Sequence, residues 1–491
     1  MIGRTNFDFS ENLLFENGSP GRSGVDLPQI NLHDSSVEQL LGAHLRRDTP
    51  TLPECSEPEI NRHFTRLSRW NFSIDTNTYP LGSCTMKYNP RINEWAGRLP
   101  GFSNAHPYLP EWRLQGSLKL MFELQDYLAE IGGFQAVSLQ PAAGAHGEFT
   151  GIMMIHAALK ARGEKRRKML VPRSAHGTNP ATAAFLGYEI ISIETGADGL
   201  IQMDDFKAKL DNQCAGIMIT NPNTLGLFEK NISEIAAQVH DLGGYVYGDG
   251  ANLNALMGIA RPGDFGIDVM HFNLHKTFTT PHGGGGPGCG AVGVSKTLEP
   301  FLPVPIISKS LPPPPVQRGE YYFDHDRPQS IGRVRSFYGN FGMMLRAYTY
   351  IRELGSEGLK EASERAVLNA NYVKSKLNPH FDLPYSTDCL HEVVFTHKHT
   401  LDIAKGLIDK GVHPPTVYFP LVVSGALMIE PTETESKEEL DTLCEAFIAV
   451  SQEDPEKLSK APYHTALGRL NEAQAARNPI LVHPMESMKR E

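Results

Sequence analysis

Between about residue 116 and residue 295 the apolar positions of this chain alternate between a helical and an extended rhythm. Met121, Leu124, Leu128 and Ile131 recur at helical spacing, and Gly132-Gly133 ends the run, because glycine tolerates the left-handed residue that closes a helix. A small-residue turn, QPAAGAHGEFTG (140–151), opens a second helix predicted to reach about Arg162. Beyond it, short apolar runs predict strands over 168–171, 188–193, 216–220, 245–248, 269–274 and 291–294. Helices are predicted between them over 181–186, 204–210 and 232–242, the last amphipathic and stopped by Gly243-Gly244. Strands alternating with helices build βαβ units around a mainly parallel sheet, whose ligand sites lie beyond the carboxyl ends of the strands.

The flanks read differently. Residues 1 to about 60 are polar, contain prolines and show little periodicity, which predicts an extended arm that needs a surface to lie against. Residues 296–330, with the run Pro312–Pro315, predict a long connector extended over the surface. From Ser336 a helical run begins, and strands and helices then alternate to about residue 450. The division expected is a peripheral segment over 1–115, a large α/β domain over 116–335 and a smaller α+β domain with a terminal tail over 336–491. No internal repeat is present.

Composition narrows the function classes. Hydrophobic residues make up 40% and charged ones 21% of 491 residues, the balance of a globular protein with a large core. The net charge of −10 argues against nucleic acid, whose phosphates need a basic surface. The six cysteines are widely spaced with no CxxC pair, so neither structural zinc nor a disulfide framework is expected. No metal site is predicted. The N-terminal segment lacks the apolar stretch of a signal peptide. The longest apolar run, Leu421 to Ile429, is about half a membrane span. These features predict a soluble, cytoplasmic protein.

Chemistry concentrates at predicted strand ends. In HFNLHKTFTTPHGGGGPGCG (271–290), Lys276 follows a buried strand and precedes four glycines. An ammonium there loses hydration, and a desolvated amine is the nucleophile that forms a Schiff base with an aldehyde. A surface lysine before a flexible loop gives the same local pattern. In YVYGDGANLNA, Asp249 ends a strand two residues before Ala251. A carboxylate there can keep a pyridine nitrogen protonated, or simply cap the next helix. The order matters more than either residue: an acid at one strand end, then a lysine 27 positions later at another, is similar to the arrangement of fold-type-I pyridoxal-phosphate enzymes. The small residues Gly144, Ala145 and His146 precede a helix and offer backbone N–H groups to a phosphate. His176, in PRSAHGTNP, is a candidate to stack on the cofactor ring or a loop histidine serving local hydrogen bonds, and Asn223 or Thr224, in TNPNTLG, is a candidate to hydrogen-bond the ring or part of a plain turn.

Six segments together resemble the P-protein of the glycine cleavage system, glycine decarboxylase. They are PLGSCTMKYNP (80–90), QPAAGAHGEFTG, PRSAHGTNPA, YGDGANLNA, NLHKTFTTPHGGGGPG and SIGRVRSFYGNFGMMLRAYTYI (330–351). The last is the most specific, since cofactor binding in general does not demand it. The resemblance covers the chain from about residue 70 to the tail and is to the second subunit of the split form. It implies an aspartate-aminotransferase-like fold and pyridoxal phosphate joined covalently to Lys276. It implies a first subunit as partner in an α2β2 heterotetramer, glycine as substrate, and transfer of the aminomethyl group to the lipoyl disulfide of H-protein. In that reading Asp249 keeps the ring nitrogen protonated and Ala251 lies beside it. His176 stacks on the ring, and His275 handles protons for the thiol chemistry. Arg333 and Arg335 are options for the substrate carboxylate, although a structural or interface role suits either. The loop CTMKYNP, with Cys84 and Lys87, is expected near the site or the partner. Two other readings stay open: another fold-type-I enzyme such as a desulfurase or amino-acid decarboxylase, and a scaffold that keeps the fold without chemistry.

Overall fold

The computed structural model describes residues 11–28, 36–45, 52–281, 288–310 and 319–481. The glycine run 283–286 and the proline run 312–315 both lie outside the described residues. The chain divides into two units, one of residues 74–458 and one of residues 1–73 with 459–491. In the latter, helix α1 (Glu57–Ser68) starts at Ser56, whose side chain and that of Glu59 reciprocally satisfy backbone amides as a capping box. Glu11 ties down the same helix, 2.9 Å from His63 Nδ1 and 2.7 Å from Arg66 Nη2. The extended arm expected over residues 1 to about 60 would take in only the first turn of this stretch. The whole stretch is a helix instead, with Ile60, Phe64 and Leu67 at helical spacing although His63 is its one buried residue.

The larger unit begins with α2 (Arg91–Gly97) and α3 (Gln115–Gly132). Seven strands follow: β1 (Ala136–Ser138), β2 (Lys168–Pro172), β3 (Glu189–Ile193), β4 (Cys214–Thr220), β5 (Tyr245–Asp249), β6 (Val269–Asn273) and β7 (Gly290–Val294). They form one sheet in the order β1-β7-β6-β5-β4-β2-β3. The pairs from β3 to β6 are parallel, and β7 runs antiparallel to both β6 and β1. Alternate side chains cover the two faces. Leu170, Ile217, Ile219 and Val246 pack with Leu124 and Leu128 of α3. Met169, Val171, Met218 and Tyr247 pack with Ile152 and Ile155 of α4 (Gly144–Ala161). Burying each such side chain contributes roughly 1.5–3 kcal/mol. Both faces are therefore apolar, as a parallel sheet between helix layers requires. Shorter helices α5 (Thr178–Phe185), α6 (Met203–Lys209) and α7 (Ile232–Asp241) link the parallel strands.

Helix α4 lies unusually close to the sheet. A Cβ on Gly147 would come 2.9 Å from Cβ of His271, and one on Gly151 would come 3.2 Å from the Tyr247 ring. Glycine at these turns lets the helix settle on β5 and β6, which brings its N-terminus to their carboxyl ends.

The Pro-rich stretch departs from the expected extended connector. It forms an antiparallel pair, β8 (Ile306–Lys309) with β9 (Tyr321–Asp324). Leu302, Ile307, Tyr321 and Phe323 are buried there. The long helix expected from Ser336 begins later, as α8 (Phe341–Leu377), and breaks at Gly355, where φ is 63°. A three-stranded antiparallel sheet, β10 (Val393–Thr396), β12 (Ala426–Ile429) and β11 (Thr416–Val417), packs with α9 (Thr400–Asp409) and α10 (Lys437–Ser451). Among the described residues no helix is long and apolar enough to cross a membrane, and no disulfide joins the cysteines.

Candidate active site

A cavity of about 440 Å³ opens at the carboxyl ends of β5 and β6. Lys276 reaches it from the short helical turn Leu274–Thr277 that follows β6. Its Nζ donates to the carbonyl of Ser83 at 2.9 Å. Asp249, the last residue of β5, faces the same space. One carboxylate oxygen accepts from the Ala251 amide at 3.0 Å, and the other accepts from Asn179 Nδ2 at 3.1 Å. The capping and cofactor readings of Asp249 are thus compatible, because a single oxygen serves the cap. Burial alone would push this carboxyl up, but His271, the Ala251 amide, Lys276 and Asn179 outweigh it and hold it below the usual range. Burial in turn pushes His271 down, with Asp249 opposing that shift from 3.4 Å away. Its other nitrogen lies 2.5 Å from the Tyr247 hydroxyl.

The remaining wall comes from α4. Its N-cap, Ala143, supplies no side-chain cap, so the first-turn N–H groups of Gly144 and Ala145 lack an intrahelical acceptor beside the cavity they line. A Cβ at Gly144 would stand 2.2 Å from Asn273 Oδ1, so only glycine fits that approach. His176 also lines the cavity. Its Nδ1 is held 2.8 Å from the Thr178 hydroxyl, and its ring meets Phe419 edge-on at 5.5 Å. Burial lowers its pKa; Asp249 opposes that shift and Lys276 adds to it. His275 lines the opposite side, with Nδ1 between the amide and carbonyl of Cys289 at 3.2 and 3.1 Å.

Five expected residues do not line this cavity. The His146 ring turns back and accepts from the Ala142 amide at 3.1 Å. The Asn223 side chain is spent on its own turn, accepting from Leu225 and Leu227 amides and donating to the Gly199 carbonyl. The Thr224 hydroxyl donates to the carbonyl of Ser174 at 2.5 Å. Arg335 lines a separate apolar cavity of about 400 Å³ and donates to Asn340 Oδ1 at 2.6 Å. Arg333 lies over the Tyr338 ring at 5.6 Å. The CTMKYNP loop, in contrast, is part of the site. Cys84 lines the cavity, and burial pushes its thiol up against the opposing pull of Lys276. Lys87 is buried against Asn254 Oδ1 (2.7 Å), the Thr277 carbonyl (3.0 Å) and Glu433 (2.5 Å).

Sequence reasoning overlooked Glu148, which lies within the very motif it selected. This carboxyl lines the cavity and accepts from Thr178 and Asn179 through Oε2, while Oε1 is buried without a partner. Burial raises its pKa to about 7, with hydrogen bonds opposing the shift and nearby Asp249 adding to it. A carboxyl whose folded pKa exceeds its unfolded value stabilises the fold fully below the unfolded value and loses that contribution as pH rises through the folded one. The window here runs from about 4.5 to about 7. Glu148→Gln is therefore expected to gain stability over the wild type on going from pH 5 to pH 8, by roughly 2–3 kcal/mol. Denaturant melts of the cofactor-free proteins at the two pH values check this; a constant difference would contradict it.

Residues 37–312 match the sequence profile of the glycine cleavage system P-protein, and residues 362–473 that of the glycine dehydrogenase C-terminal domain. The chain belongs to the P-protein family. A relative from Halalkalibacterium halodurans, named probable glycine dehydrogenase (decarboxylating) subunit 2, is 55% identical over 481 residues, covering 96% of this chain and 97% of that protein. A protein of the same name from Desulforamulus reducens is 54% identical over 486 residues, covering 96% and 99%. The fold is similar to a crystal structure of glycine decarboxylase in inhibitor-bound form, with a TM-score of 0.72 and 22% identity over 85% of this chain and 95% of the other. Cysteine desulfurase from Thermococcus onnurineus has the same architecture at a TM-score of 0.59 and 15% identity, covering 77% and 95%. The P-protein chain therefore has the fold-type-I architecture, and its cofactor is pyridoxal phosphate. The cavity suits that group. A carboxylate held ionised, an amine, and an uncapped helix N-terminus with a glycine cradle all border one space of adequate size.

Proposed function

We propose that this chain is the cofactor-bearing subunit of a two-subunit glycine decarboxylase. With a first subunit it removes CO2 from glycine and passes the aminomethyl group to the lipoyl disulfide of H-protein, which accepts the electron pair. The observation that carries this reading is that Lys276, Asp249 and the N-terminus of α4 open onto one cavity, at adjacent parallel strand ends, in a P-protein chain.

In this reading Lys276 Nζ is the tether for the cofactor aldehyde. The N–H groups of Gly144 and Ala145 hold its phosphate, because a helix N-terminus favours an anion. Asp249 accepts the ring N–H⁺ and keeps it cationic. His176, braced by Thr178 and Phe419, covers one face of the ring. When bound, pyridoxal phosphate draws in the electron pair released as the substrate carboxylate departs. His275, fixed by the Cys289 backbone, handles protons near the amine end. Phe419 and Leu81 help to exclude water from the cavity. The relatives' designation as subunit 2 supports a partner subunit.

Exchange of labelled bicarbonate into glycine, by this chain together with subunit 1 and lipoylated H-protein, tests the reading. Exchange that needs all three proteins supports it, and its absence from the reconstituted, cofactor-loaded complex overturns it. Gly144→Val is expected to weaken pyridoxal phosphate binding at least about tenfold, since an added side chain forces the helix end off Asn273. A spectrophotometric titration of apo-protein measures this.

A further inference from the structure

The segment 80–90 crosses over the Lys276 amine and is held from the far side by two carboxyls that no catalytic role explains. Glu392 and Glu430 are both fully buried. They extend the β10–β12 ladder by one position beyond the Val393–Ile429 pair, which places them side by side. Glu392 Oε2 accepts the Ser83 amide at 2.8 Å. Glu430 accepts both the amide and the hydroxyl of Thr85, at 3.0 and 2.5 Å. The segment is pinned at further points. The Glu430 amide donates to the Pro80 carbonyl at 3.3 Å, Thr416 Oγ1 donates to the Gly82 carbonyl at 2.8 Å, and Gly82 is pressed onto Met428. Between these anchors Ser83 has φ of 61°, a conformation uncommon for a residue with a Cβ. That conformation turns its carbonyl to the Lys276 amine, 2.9 Å away.

We infer that Glu392 and Glu430 are positioning residues for cofactor capture: they seat the 80–90 strap so that the Ser83 carbonyl holds the free Lys276 amine aimed into the cavity. The inference rests on Lys276 being the cofactor lysine. Burial pushes Glu392 well up, with Glu430 adding to the shift, and pushes Glu430 to about 7 against the opposing hydrogen bonds from Thr85. The pair therefore acts through hydrogen bonds from the strap rather than as two full negative charges that would pull the amine away.

The test is the rate at which the apo-complex of the full chain with its partner subunit captures added pyridoxal phosphate. It is followed by visible absorption, with hydrogen–deuterium exchange of the 80–90 peptide alongside. Glu392→Ala should slow capture about tenfold or more and raise exchange at Ser83, since displacing a reacting group by an ångström costs rate on that scale. Glu392→Gln should stay within about twofold of the wild type, because its amide oxygen still accepts from Ser83. Gly82→Ala leaves both carboxyls intact but puts a Cβ 2.1 Å from Met428 Cγ, so it should lift the strap and slow capture as Glu392→Ala does. Capture at the wild-type rate in Gly82→Ala overturns the inference, as does equal slowing in Glu392→Ala and Glu392→Gln. If Glu392→Ala does not fold, Gly82→Ala decides alone. Borohydride reduction and peptide mapping of the wild type separate the two claims: label on another residue refutes the Lys276 assignment, whereas label on Lys276 with unimpaired variants refutes only the strap.

Discussion

Lys276→Ala is expected to lose the visible, borohydride-reducible absorption of the lysine–aldehyde adduct and to lower glycine decarboxylation by at least about a thousandfold. The side chain projects into the cavity from a short turn, with its amine on the Ser83 carbonyl, so its removal leaves the sheet and both cores untouched. Thermal unfolding of the apo-protein should therefore match the wild type, which separates lost chemistry from lost fold. The neighbouring Lys87 cannot substitute, because Glu433, Asn254 and the Thr277 carbonyl hold its ammonium in a buried site. A reducible band that persists in Lys276→Ala would move the tether elsewhere and dismantle the assignment of the whole cavity.

The second large effect is expected at Asp249. Asp249→Asn keeps the size of the side chain and an oxygen for the Ala251 amide, but removes the charge that stabilises a protonated ring nitrogen. The expected loss in kcat is about a hundredfold, or about 3 kcal/mol at 1.36 kcal/mol per factor of ten. KM for glycine should change far less, since the carboxylate acts on the cofactor rather than on the substrate. The wild-type carboxyl is held below its usual range, so Asp249 stays ionised through neutral and mildly acidic pH and should add no acid limb to the kcat profile there. Steady-state kinetics of the cofactor-loaded complex from pH 6 to 9 would measure both quantities. A kcat within a few-fold of the wild type would remove Asp249 from the ring-nitrogen role.

What was legible in the sequence follows from how local each cause is. The parallel core could be read because β4, β5 and β6 are continuous buried runs bounded by glycine and polar residues. Lys276 and Asp249 could be read because each stands where such a run ends. Asn223 and Thr224 looked equivalent in the sequence, each a polar side chain after a strand, and His146 was expected to offer its backbone N–H at a helix start. Their side chains serve backbone groups instead, at Leu225 and Ala142 close by in the chain and at Ser174 on another loop, and no sequence pattern distinguishes a side chain that faces outward from one that folds back. The strap could be seen as a motif but not explained, because its partners Glu392 and Glu430 lie more than 300 residues further along the chain. Proline content concealed β8 and β9, whose edge pairing tolerates the prolines beside them.

The pairing of β5 with β6 has a mechanical consequence. Asp249 and the turn bearing Lys276 extend from neighbouring strands of one sheet, paired at Tyr247–Val269 and Gly248–Met270. The two strands lie about 4.8 Å apart across the sheet, so both side chains start from the same edge of one rigid layer. Leu81, Ser83, Thr416 and Phe419 reach the same cavity from segments anchored to the other sheet. The cavity thus has a floor built on one sheet and a roof carried on a different frame. Any tilt of that frame would carry the Ser83 carbonyl with it, and so the aim of the Lys276 amine, while Asp249 stays on its own strand.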